Sequence, residues 1–359
     1  MIPVTKPYLP NQQTYFRFVE EIFERQWLTN NGPLVQKFEE KLKNYLKIKN
    51  LLYVSNGTIA LQLAIKALEL KGEIITTAFS YVATSSSIVW EGCQPIFVDI
   101  DANTLNIDPK KIEASITDRT TAILATHCFG NACDIDAIDI IAKKHHLNVI
   151  YDAAHCFGTT YKGKSIFQYG DISTTSLHAT KLMHTIEGGL VFSNDKNLIE
   201  RMAYMRNFGH DGFEKFNGVG INAKNSEFHA AMGLCVLEDI DSIIQKRKEQ
   251  SKCYDNLLEG LSVQKPQIGK NCDCNYAYYP ILFESESTAL KVKSALEVKG
   301  IHPRRYFYPS LSKLDYVKPT KTPVSDSCAS RILCLPLYHE LEEESQQLIC
   351  KIIRNTLSC

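Results

Sequence analysis

Lys181 stands in SLHATKLMHTIEGG, a polar stretch bounded by Gly188 and Gly189 and set between two strand-like segments. A lysine is ordinarily a solvated surface residue. One fixed in such a loop can offer its amine for addition to a carbonyl and, once released, carry a proton between two carbon atoms. Asp152, in VIYDAAHCFG, ends a run that reads as a buried strand. A buried carboxylate needs a partner, because removing its charge from water is costly. A protonated pyridine nitrogen is such a partner and turns the ring into an electron sink; a helix cap or an ordinary ion pair would also satisfy the residue. The third segment, Ser55-Asn56-Gly57-Thr58, joins a strand to an amphipathic helix. Small residues let the backbone approach a ligand there, and the free N–H groups of a helix N-terminus suit a phosphate. The same four residues also make a plain turn and cap.

These segments need a scaffold that gathers strand ends. From about residue 51 to 200 strand-like and helix-like runs alternate: LLYVS, a helical repeat from Thr58 to Leu70, EIITTAF, a helix from Ala83 to Trp90, PIFVDI, TAILATHCFG, the helix DIDAIDIIAKKHH, LNVIYDAA, ISTTSLHA and GGLVFSN. Such alternation predicts an α/β layer with a mostly parallel mixed sheet, whose ligands bind beyond the carboxyl ends of the strands. A Gly-rich stretch at 208–225 is long enough to suggest a functional loop. The helix starting at Glu227 is expected to continue toward Lys246. The first fifty residues read as an arm and a helix docked on a large domain, residues 1–247. Residues 248–359 read as a small α+β domain, with YAYYPILFE as a strand, LKVKSALEVKG as a helix ending at Gly300, and a C-terminal helix.

Composition narrows the function. Hydrophobic residues make up 44% of the 359, charged residues 22%, and 40 basic side chains balance 40 acidic ones. A neutral chain has no global field to draw in nucleic acid or an anionic membrane, so neither is an expected partner. The twelve cysteines follow no framework spacing and include no C-x-x-C. That pattern predicts a reduced, cytoplasmic protein without a structural metal. MIPVTKPYLP has no apolar run after a basic segment, so no signal peptide is expected, and no run approaches the roughly 20 residues of a membrane span.

WLTNNGP (27–33), SNGT (55–58), TTAFSYVAT (76–84), YDAAHCFG (151–158), SLHATKLMHTIEGG (176–189), GINAKNSEFHAAMG (220–233) and RRYFYPSL (304–311) resemble the sugar aminotransferases of the DegT/DnrJ/EryC1/StrS family, in family order over nearly the whole chain. The block from Lys181 to Glu-Gly-Gly is the most specific. The resemblance implies an aspartate-aminotransferase-like enzyme of fold type I that uses pyridoxal 5'-phosphate, alternating with pyridoxamine phosphate, as a homodimer with composite active sites. By position, Lys181 matches the lysine that binds the cofactor covalently and Asp152 the partner of the ring nitrogen. His155 falls where many relatives carry a Gln packed on the ring, and Tyr81 matches an aromatic neighbour of the cofactor. Gly57, Thr58 and Ser176 match phosphate contacts. Asn222 and Lys224 are both candidates to reach the partner subunit's site. Arg304 and Arg305, with Asn30, would lie on the substrate side, where fixed cations hold a diphosphate.

The implied reaction takes an amino group from L-glutamate, releasing 2-oxoglutarate, and delivers it to a nucleotide-linked keto sugar for a polysaccharide or glycoconjugate precursor. The opening of the chain and HATK…HTIEGG look most like members that convert dTDP-4-dehydro-6-deoxy-D-glucose to dTDP-4-amino-4,6-dideoxy-D-glucose. A UDP-linked 4-keto sugar or a 3-keto sugar is the alternative within the class. A sugar dehydratase of the same fold, in which histidine replaces the lysine, and a non-catalytic regulatory protein are the alternatives outside it; Lys181 speaks against both.

Overall fold

A computed structural model describes residues 1–358. The chain opens with β1 (Ile2–Pro3) and two helices, α1 (Gln12–Arg25) and α2 (Pro33–Leu46). The sequence reading expected one helix here. The Trp27–Gly32 connection separates two, with Asn30 and Asn31 both in the left-handed region at φ +63° and +59°, which Asn tolerates better than most residues.

Next come β2 (Leu51–Val54), α3 (Gly57–Ala67), β3 (Glu73–Thr77), α4 (Val82–Trp90), β4 (Gln94–Val98), β5 (Thr120–Thr126), α5 (Ile135–His145) and β6 (Asn148–Asp152). After the short strands β7 (Thr160–Tyr161) and β8 (Lys164–Ser165) follow β9 (Ile172–Ser176), β10 (Gly189–Phe192) and α6 (Lys196–Arg206). Seven strands form one sheet in the order β2-β10-β9-β6-β5-β3-β4, parallel except for β10, which is antiparallel to both neighbours. Strands buried on both faces, such as Ile74-Ile75 and Ile123-Leu124, explain the continuous apolar runs. One face packs on α2, α5 and residues after 226, the other on α3 and α6. The predicted α/β layer with a mostly parallel sheet is the one observed.

The helix expected from Glu227 toward Lys246 is two helices, α7 (Glu227–Glu238) and α8 (Ile240–Leu257). Asp239 breaks the run at φ −100°, ψ 0°, and its carboxylate accepts the Tyr8 hydroxyl at 3.0 Å. The rest of the chain comprises β11 (Cys272–Asp273), β12 (Tyr279–Leu282), α9 (Glu286–Val298), β13 (Ile301–His302), α10 (Pro323–Arg331), β14 (Ile332–Leu335) and α11 (Glu343–Leu357). Helix α8 runs through residue 248: Ile240 and Ile243 join the core under the large sheet, whereas Tyr254 and Leu258 join a second core with α9, α11, β12 and β14. Strand β1 pairs with β13, so the N-terminal arm ends against this second core. No helix among the described residues is long and apolar enough to cross a membrane, and no cysteine among them is paired in a disulfide.

Candidate active site

The carboxyl ends of β6 and β9 and the loop entering β10 place Asp152, Ser176 and Lys181 on one side of the sheet. Asp152 is buried. Its Oδ2 accepts the Thr84 hydroxyl at 2.7 Å and its Oδ1 the Ala154 N–H at 3.2 Å. Because Thr84 spends its proton on Asp152, Ser80 donates to Thr84 (2.7 Å) and Thr126 donates to Ser80 (3.0 Å), a hydroxyl chain polarised toward the carboxylate. Burial raises the Asp152 pKa above the ordinary carboxylate range, opposed by these hydrogen bonds and by the charge of Lys181. A cation facing Asp152 would restore its ionised form.

Lys181 feels the reverse. Burial lowers its pKa, and Asp152, then Tyr306 and Tyr81, act to raise it. Its Nζ donates to the Tyr278 hydroxyl at 3.3 Å. Ala154, His155, Ser176, Lys181 and Tyr278 line a single small cavity. An amine in this setting reaches its neutral, nucleophilic form nearer neutrality than a solvated lysine does.

His155 is buried against Tyr278, with centroids 4.7 Å apart, and lies nearly parallel to Phe129 and Phe307. Its Nδ1 accepts the Phe129 N–H at 3.3 Å, which leaves the proton on Nε2, and burial holds its pKa well below 6.5. The ring is therefore a flat, uncharged surface.

Helix α3 begins beside Ser176. The Asn56 side chain caps it by accepting the Ile59 N–H at 2.8 Å. A Cβ on Gly57 would come within 2.9 Å of the Ser176 Cβ, and one on Gly189 within 2.4 Å of the Asn56 carbonyl oxygen. Glycine at both positions keeps β10 and Ser176 tight under the helix start, where N–H groups suit an anion. Thr58, in the first turn, is exposed. Together a buried carboxylate, an enclosed amine, a flat neutral ring and a helix N-terminus fit pyridoxal phosphate in every part of its chemistry.

The other predicted residues lie farther out. Tyr81 precedes α4 and is 57% exposed. Asn222 is exposed and bridges to Asn207, while the Lys224 Nζ sits 4.7 Å over the Phe208 ring; neither lines the Lys181 cavity. The Arg304 guanidinium packs 5.4 Å from the Tyr306 ring. Arg305 spends its Nη2 on Glu286 at 2.5 Å and on the Ser330 carbonyl at 2.7 Å, while its buried Nε has no partner. Asn30 lies exposed in the connection between α1 and α2. Thr84 and Tyr278 were missed. Thr84 lies inside TTAFSYVAT, and Tyr278 was hidden in a run that reads only as a strand.

The DegT/DnrJ/EryC1/StrS aminotransferase family matches residues 11–354. The dTDP-4-amino-4,6-dideoxy-D-glucose transaminase of Shigella dysenteriae is 41% identical over 98% of each chain, and the protein of the same name from Escherichia coli 38% identical, again over 98% of each. The crystal structure of DesI in the presence of its TDP-sugar product superposes with a TM-score of 0.94 at 30% identity, covering 99% of this chain and 93% of that one.

Proposed function

The chain belongs to the DegT/DnrJ/EryC1/StrS aminotransferase family, and from that membership we propose that it transfers the amino group of L-glutamate to C4 of dTDP-4-dehydro-6-deoxy-D-glucose, giving dTDP-4-amino-4,6-dideoxy-D-glucose. The cofactor of the family is pyridoxal phosphate. The observation that carries the reading is the enclosed Lys181 amine, its pKa lowered by burial and then pulled upward by Asp152. The choice of a dTDP-linked sugar rests on the likeness to two transaminases of that name over 98% of the chain.

Bound pyridoxal phosphate supplies an electron sink for the pair left when the C–H bond beside the amino group breaks. Lys181 takes that proton on Nζ and returns it, from glutamate in one half-reaction and to the sugar carbon in the other. Asp152, helped by the Thr126–Ser80–Thr84 hydroxyl chain, would stay ionised and partner the ring nitrogen of the bound cofactor. His155 would offer its uncharged face to the bound ring, and Tyr81 would be a further aromatic neighbour. Gly57, Thr58 and Ser176 would hold the cofactor phosphate. Asn222 and Lys224 of each protomer serve the other protomer's site in a homodimer. Arg304, with Arg305 and Asn30, would hold the sugar nucleotide.

The direct test supplies ¹⁵N-glutamate with dTDP-, UDP- and GDP-linked 4-keto-6-deoxy sugars and identifies products by mass and NMR. The proposal expects label at C4 of the dTDP sugar at a kcat/KM at least tenfold above the others. An unlabelled dTDP sugar, or a preferred UDP sugar, would refute the substrate assignment.

A further inference from the structure

We infer that Tyr278 is a positioning residue: its hydroxyl receives the Lys181 amine whenever that amine is not joined to the cofactor. The inference rests on the transaminase reading. Lys181 Nζ lies 3.3 Å from the Tyr278 oxygen and 5.8 Å from the ring centroid. The cavity beside the lysine is small and mostly apolar, with Ala154, Leu182, Met183 and Ala277 beside His155 and Tyr278, so the stem lies against apolar walls that direct its amine to the hydroxyl. Tyr278 is itself fixed, edge-on to His155 (4.7 Å), Tyr306 (5.6 Å) and Phe129 (5.7 Å).

The type of partner matters. A carboxylate at this point would hold the lysine as an ammonium, which has no lone pair to accept a proton. The Tyr278 hydroxyl is kept protonated by burial, which raises its pKa above 10. It can therefore take one N–H of a neutral amine and leave the nitrogen lone pair free. That lone pair collects the proton from the α-carbon of glutamate: the C–H bond breaks, an N–H bond forms on Lys181, and the electron pair stays on the carbon side. Tyr278 thus sets where the amine waits and in which state, without touching the substrate.

The test is a double-mutant cycle on cofactor-free protein, with Tyr278→Phe placed in the native and the Lys181→Ala backgrounds. Losing one hydrogen bond to a free amine should lower the melting temperature by about 2 °C in the native background and leave it unchanged where Lys181 is absent. Equal shifts in both backgrounds would make Tyr278 a packing residue and overturn the inference. In cofactor-loaded protein, Tyr278→Phe should slow the glutamate half-reaction at least tenfold, enlarge the isotope effect of α-deuterated glutamate and leave KM for glutamate unchanged. An unaltered rate and isotope effect would equally overturn it. Failure of the unsubstituted protein to accept glutamate nitrogen would sink the transaminase reading itself, and is seen before any variant is made.

Discussion

Among single residues, labour is divided between an amine and a carboxylate whose surroundings push their pKa values in opposite directions. Lys181→Ala should lower turnover at least a thousandfold, since it removes both the covalent anchor and the proton carrier, while circular dichroism stays native because no ion pair is broken. His155 makes a pH prediction. Its folded pKa is well below 6.5, so over the interval between the two values the unfolded chain binds a proton there that the folded chain does not. Its contribution is therefore undiminished above about 6.5 and becomes unfavourable as pH falls through that value. His155→Gln should flatten the loss of melting temperature between pH 7 and 5, and an unchanged slope would show that the ring is accessible to protons. His127, also buried, with its pKa lowered to about 3, retains its own share of the acid sensitivity.

At the scale of elements, helix starts need partners for their free N–H groups, and that of α2 is held by a residue distant in sequence. Glu227, fully buried at the first turn of α7, accepts the Leu34 and Val35 N–H groups at 2.9 Å each and so caps α2. Glu227→Ala would leave two buried donors unpaired and should cost roughly 2–4 kcal/mol, read as a shift in the denaturant midpoint, with Glu227→Gln recovering part of it. No periodicity argument finds this contact, because Glu227 and its partners are about 190 positions apart. Local patterns were legible for the same reason that this one was not. Apolar strands β3, β5 and β6, helix α5 with its Asp134 cap and the Gly300 stop after α9 each declare themselves within a dozen residues. The break at Asp239 was signalled by Asp and Ser in LEDIDSII, but apolar spacing on both sides hid it. At the site, Lys181 and Asp152 were readable from residue type and setting. The Tyr278 hydroxyl was not, since its role arises only where the chain after α8 folds back over the sheet.

At the scale of the whole molecule, the exposed Asn222 and the neighbouring Lys224 leave the Lys181 cavity without them, which fits their service to a second copy. Sedimentation should give twice the 40.6 kDa chain mass. Mixing inactive Lys181→Ala one to one with an inactive Asn222→Ala/Lys224→Ala variant should restore one of the two sites in each mixed dimer, about a quarter of native activity for the whole mixture; no recovery would place both residues in their own protomer's function. The central claim is that Lys181, opposite Asp152, is the lysine that binds pyridoxal phosphate. Borohydride reduction of the cofactor-loaded protein, followed by peptide mass mapping, tests it most directly. The account predicts the pyridoxyl mass on the peptide containing Lys181 and its loss after prior incubation with glutamate. A label on another lysine, or none in a protein that still transfers amino groups, would contradict it.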